Sequence, residues 1–88
     1  MKRKEGFMLR SIGSQYIVVA LGNASKDFNG VIRLNKTAKL LWEQLTNERN
    51  EGQLVSAMME QYDVDETTAK SDVTEFIIKI RNAGLINE

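Results

Sequence analysis

The hydrophobic period of this chain changes once, near Asn35, and that change restricts the fold more than any other feature. Before it, apolar residues come in short runs or alternate with period two, as strands require. After it, they recur every three or four residues, as on one face of a helix. Strands followed by helices, without interleaving, mark an α+β domain rather than an α/β one. The 88 residues hold one such domain with a thin core.

The strand half divides at its glycines. Residues 7–12, Phe-Met-Leu-Arg-Ser-Ile, read as a first strand. Gly13-Ser14 is a two-residue hairpin signal. Residues 15–21, Gln-Tyr-Ile-Val-Val-Ala-Leu, form a second strand, apolar on both faces. A polar loop over 22–27 leads to a third strand over 28–34. There Phe28, Gly30, Ile32 and Leu34 share one face, while Asn29, Val31 and Arg33 share the other. One buried face and one polar face suit an edge position.

In the helical half, Asn35 is the N-cap of a helix over about 36–46, with Ala38, Leu41, Trp42 and Leu45 on one stripe. After a polar break over 46–50, a second helix covers about 51–62 with Leu54, Val55, Met58, Met59 and Tyr62 inward. Asp65 caps a third helix over about 66–83, whose stripe is Ala69, Val73, Phe76, Ile77 and Ile80. Gly84 stands where a helix end favours glycine, before the apolar pair Leu85-Ile86. Trp42 and Met58-Met59 are read as core residues. Leu40 and Ile78 lie off their stripes at 100° per residue. The resulting organisation is a basic tail over 1–6 and a single domain over 7–88. Its fold class is α+β, winged helix-turn-helix-like: a three-stranded antiparallel sheet followed by three helices, with the helices covering the sheet.

Missing residue types narrow the chemistry. The chain has no Cys, His or Pro. Thiolate nucleophiles, disulfides, Fe–S clusters, zinc fingers, Ser-His-Asp triads and imidazole metal ligands are thereby excluded. There is no Gly-rich phosphate loop. Glu51, Asp65 and Glu66 sit at helix starts, where acids cap and complement the dipole rather than form a catalytic pair. No metal, cofactor or catalytic residue is expected. No apolar run approaches the roughly 20 residues of a membrane span, and a cytoplasmic protein is expected.

Formal net charge is zero, yet unevenly laid out. Residues 1–44 hold eight Lys/Arg against three acids, net +5; residues 45–88 hold four against nine, net −5. A winged-helix nucleic-acid-binding module is one reading of the element order, but it needs a cationic third helix. Residues 65–83 carry three cations against four acids, net −1. The competing reading is a peptide binder, in which an extended peptide adds to the exposed edge over 28–34. A structural partner of a larger enzyme is a third reading.

Leu34-Asn35-Lys36-Thr37-Ala38, leading into Leu41-Trp42-Glu43-Gln44-Leu45, resembles the LN-x-T-A…W-E-L-L segment of the pyrroloquinoline quinone synthesis protein D (PqqD) family. Asp27-Phe28-Asn29-Gly30 resembles the lead-in of its small members. Further landmarks follow in order at Leu54-Val55, Tyr62-Asp63-Val64, Asp72-Val73, Phe76-Ile77 and Gly84-Leu85-Ile86, so the resemblance spans about 7–86. It implies three strands and three helices, and a non-catalytic peptide chaperone of the kind called a RiPP recognition element. Such a protein binds the leader of a ribosomally synthesised precursor peptide and presents it to a modifying enzyme, often a radical SAM protein. The leader adds to the third strand, beside the third helix. Matched positions place this on Phe28, Asn29, Gly30, Val31, Ile32, Arg33 and Leu34. Helix geometry adds Lys70, Thr74, Ile77, Ile78 and Arg81 as the expected groove wall, on the exposed side of the third helix.

Overall fold

Gly13 and Ser14 close the first hairpin. In a computed structural model of the protein, which describes residues 1–22 and 31–87, Gly13 has φ +61° and turns the chain between β2 (Phe7–Ile12) and β3 (Gln15–Ala20). A positive φ at this position suits the right-handed twist of paired strands and favours glycine. The strands pair antiparallel from Ile12–Gln15 to Phe7–Ala20. β4 (Val31–Leu34) pairs on the other side of β3, with Tyr16 opposite Leu34 and Val18 opposite Ile32. The order β2-β3-β4 puts the apolar strand in the centre and β4 at an edge. Residues 28–30 of the expected third strand lie outside the described residues.

This register sorts the side chains into two faces. Leu9, Val18 and Ile32 form one inward row; Tyr16 and Leu34 belong to the next. Met8, Val19 and Val31 form an outward row, and Arg10, Ile17 and Arg33 another. Three helices cover the inward face. α1 (Lys36–Gln44) is capped by Asn35, whose Oδ1 accepts from the Ala38 N–H at 2.8 Å. α2 (Glu51–Gln61) starts in a capping box: Asn50 Oδ1 accepts from the Gln53 N–H at 2.8 Å, and Gln53 Oε1 accepts from the Asn50 N–H at 2.9 Å. α3 (Glu66–Asn82) is capped by Asp65, which accepts from the Thr68 N–H at 2.7 Å.

α3 ends in a Schellman motif, as Gly84 suggests. Gly84 has φ +74°; its N–H donates to the Arg81 carbonyl at 3.0 Å, and the Leu85 N–H donates to the Ile80 carbonyl at 2.9 Å. The turn delivers β5 (Ile86–Asn87) antiparallel to β1 (Lys2–Arg3). Residues 2–3 therefore do not belong to a free basic tail. The Arg3 N–H donates to the Leu45 carbonyl at 3.0 Å, and the Lys4 N–H donates to the Leu85 carbonyl at 2.8 Å. The Arg3 guanidinium lies 5.3 Å from the Trp42 ring centroid, a cation–π contact over a buried ring. The sequence pattern misses this pairing because two-residue strands carry no period.

The core runs from Val18, Ile32 and Leu34 through Leu41, Trp42 and Leu45 to Leu54, Met58 and the α3 stripe. Met59, expected inside with Met58, is exposed, and so is Ile78. Replacing the fully buried Leu41 by alanine should lower the unfolding free energy by about 2–5 kcal/mol, read from urea titrations. The Thr68 backbone and side chain hold the Asp65 carboxyl below the usual aspartate range. A lowered folded pKa contributes stability that is complete above the unfolded value and lost as pH falls through the folded one. Asp65→Asn should therefore differ in stability from the parent at neutral pH, and the difference should shrink as urea titrations are carried below about pH 4.

Candidate functional site

Antiparallel pairing gives β4 two kinds of residue. Those that exchange bonds with β3 point both N–H and C=O inward, and their neighbours point both away. The Arg33 carbonyl accepts a hydrogen bond from the Lys79 ammonium on α3, so it faces away from β3. Val31 shares the parity of Arg33, and the backbone groups of both face the open side. Their side chains lie on the outward face of the sheet and are exposed, Val31 to 54%. Ile32 and Leu34 do the reverse: their side chains enter the core and their backbone pairs with β3. Among the described residues no strand pairs with β4 on its open side.

A cavity lies at the end of β4, where Leu34 and the start of α1 face α3. It is about 210 Å³ and is lined by Leu34, Ala38 and Phe76 on the apolar side. Asp72, Glu75 and Lys79 supply the polar wall, and Asn35 and Thr37 close it at the start of α1. Phe76 is a core residue at the margin of the α3 stripe, so the apolar lining continues the core. Among the described residues neither Asp72 nor Glu75 takes part in an ion pair.

None of the five α3 residues expected to wall a peptide groove lines this cavity. Ile77 is 2% exposed and belongs to the core, not to the exposed side of the helix. Lys70 and Thr74 line another cavity, of about 430 Å³, between α2 and α3 with Val55 and Met59. Lys70 also pairs with Glu66 at 3.1 Å. At 100° per residue Arg81 lies within about 20° of Thr74, on the flank opposite Asp72, Glu75 and Lys79, whereas Ile78 lies on the solvent-facing back of the helix, about 40° from Thr74 and about 60° from Glu75. The core stripe divides α3 into two flanks, and its periodicity is the same whichever flank meets β4. That choice is tertiary. The one sequence signal for it is Phe76 at the stripe margin between Asp72 and Lys79. Of the seven strand positions, Val31, Ile32, Arg33 and Leu34 stand at the edge as expected; Phe28, Asn29 and Gly30 lie outside the described residues.

Charge is divided between the two sides. Arg10 and Arg33 project from the outward sheet face, whereas the helix side of the groove carries two carboxylates and one ammonium. Among the described residues no group of His, Cys, Asp or Glu could hold a metal ion, and no helix is long and apolar enough to cross a membrane.

Two solved structures share the fold. One, TbiB1 in complex with the TbiA(beta) leader peptide, aligns with a TM-score of 0.72 at 20% identity over 97% of this chain and 93% of that one. The other, a lasso peptide synthetase B1 complexed with the leader peptide, aligns with a TM-score of 0.71 at 14% identity over 99% and 96%. No curated protein sequence matches. A family model does, over residues 8–86, a span that takes in β3, β4, all three helices and the segments that carried the resemblance. The chain belongs to the coenzyme PQQ synthesis protein D (PqqD) family.

Proposed function

We propose that this protein is a peptide chaperone that takes the leader of a ribosomally synthesised precursor as an added strand on β4. It then presents the precursor to a modifying enzyme; a radical SAM protein is the partner class that the family resemblance implies. The observation that carries this reading is the backbone of Val31 and Arg33 facing away from β3, beside the apolar-lined cavity that Leu34 borders. Strand addition draws affinity from main-chain hydrogen bonds and selectivity from pockets that meet alternate side chains. In this groove one set of peptide side chains falls against Leu34, Ala38 and Phe76. Each apolar side chain fully buried there contributes roughly 1.5–3 kcal/mol. The other set joins Val31 and Arg33 on the outward face. Both structural neighbours were solved with a leader peptide bound, which supports the same reading.

The nucleic-acid alternative has less support. Phosphate neutralisation needs a cationic surface. The α3 flank beside the edge instead presents Asp72 and Glu75, and Glu66 draws Lys70 into a pair.

Proline at position 31 separates affinity from folding. Val31 offers its N–H outward, so Val31→Pro removes a donor that only an added strand uses, and edge strands tolerate proline. Its circular dichroism should stay native while calorimetric affinity for the precursor leader falls about tenfold or more, from the lost bond and the ring's bulk. Ile32→Pro should unfold the domain, because that N–H pairs with β3. Native affinity in a folded Val31→Pro variant would overturn strand addition, and salt-dependent duplex DNA binding with a slope of several phosphates would favour the alternative.

Ile77→Asp should abolish folding, since it buries a charge in the core. Ile78→Asp should fold and hold leader affinity within about twofold, because position 78 lies off the groove. Amide shifts on leader titration should cluster at 31–34 and 72–79; shifts confined to the flank of Lys70 and Thr74 would move the site to that side of the helix.

A further inference from the structure

We propose that Lys79 is a latch on the open edge: its ammonium holds the outward Arg33 carbonyl in the free protein, and its transfer to Glu75 releases that carbonyl to an incoming strand. The consequence for binding rests on the strand-addition reading above.

Lys79 and Arg33 are 46 residues apart, and theirs is the one side-chain hydrogen bond from α3 to the β4 backbone among the described residues. It occupies an acceptor that an added strand needs. A strand arriving on β4 presents an N–H to the Arg33 carbonyl from the open side, where the ammonium now sits.

A receiving site for the ammonium lies on the same helix. Glu75 precedes Lys79 by four residues, the favoured order for an i,i+4 pair. Glu66–Lys70, in the same order, is formed at 3.1 Å, and even Lys39–Glu43, in the reverse order, is formed at 3.9 Å. Glu75 makes no ion pair among the described residues, although it lines the groove together with Lys79. The lysine has been taken by the strand. Both states give the ammonium an oxygen partner, so exchange between them costs little when a peptide supplies the replacement N–H.

Without a peptide the latch has a separate use. An open edge with an exposed Val31 is a template for pairing with another copy of the chain, and a lysine placed on the edge is a recurrent means of preventing that. The bond leaves the edge closed to weak, unselective partners and opens it to a strand that also fills the apolar lining of the groove.

The test uses no peptide, so its failure and the failure of leader binding are distinguishable. Ammonium-selective nitrogen–proton spectra of the full chain should show Lys79 protons exchanging with water at least fivefold more slowly than those of the solvated Lys70. Glu75→Gln, which removes the receiving carboxylate, should slow Lys79 further. Lys79→Met should raise the self-association constant at least tenfold by sedimentation equilibrium, with new amide protection at Val31 and Arg33. Lys79 protons exchanging as fast as those of Lys70 would overturn the latch. So would Lys79→Met with the parent's self-association, or faster Lys79 exchange in Glu75→Gln. The exchange measurement needs no substitution, so it decides the matter even where Lys79→Met fails to fold.

Discussion

Ile32 and Leu34 decide where the open backbone of this protein points. Strand geometry couples the face a side chain takes to the direction of its N–H and C=O. Burying these two residues against Val18, Leu41 and the helices orients the carbonyl and amide of Val31 and Arg33 away from β3. The core and the open edge are therefore one constraint. A slip of one residue in the β3–β4 register would expose Ile32 and Leu34 and turn the wrong backbone groups outward, so hydrophobic burial holds the edge in register.

The second wall needs separate support, because α3 stands off from β4 and leaves a groove rather than packing against it. Its position is set from its ends and from its core stripe. Asp65 fixes the start. At the far end the Schellman turn leads straight into β5, which pairs with β1. The segment around β1 in turn bonds to the end of α1 through the Leu45 carbonyl and lays Arg3 over Trp42. The two-stranded sheet thus ties the end of α3 to α1, and α1 follows β4 directly through Asn35. Groove width is set by this closed circuit of short contacts. The Lys79 bond spans the remaining gap without filling it.

Most of this circuit is readable in the sequence where it is local. The hairpin at Gly13-Ser14, the caps at Asn35 and Asp65, the glycine at the end of α3 and the three helical stripes each occupy a few consecutive residues with a strong stereochemical preference. β4 as an edge is also readable, since Ile32 and Leu34 alternate with Val31 and Arg33. What sequence reading misses is set at long range. β1 and β5 are too short to show a period and meet only in the folded chain. Ile77 fits both the core stripe and the expected groove wall by periodicity, and packing puts it in the core. The flank of α3 that meets β4 depends on the rotation of one helix against a sheet, to which periodicity is blind. Asp72, Glu75 and Lys79 line the cavity beside Leu34, whereas Lys70 and Thr74 line the one between α2 and α3.

Zero net charge conceals a division that the fold places along the groove. One wall, Leu34 to Ala38, belongs to the basic half of the chain and adjoins Arg33 on the outward sheet face; the other belongs to the acidic half and carries Asp72 and Glu75. Exposed ion pairs contribute only about 0–1 kcal/mol each, so these charges are weak sources of affinity beside main-chain bonding and apolar burial. Their placement matters more than their strength. An extended peptide alternates its side chains between two faces, and a shift of one residue exchanges the two sets completely. Main-chain bonds alone do not distinguish one register from another. On the strand-addition proposal, an acidic helix flank and an arginine-bearing sheet face would distinguish registers that differ by one residue, because such a slip carries every peptide side chain from one of these surroundings to the other. Under that proposal backbone pairing supplies affinity for many extended segments, and the divided charge favours one of the two ways in which a segment can face its side chains.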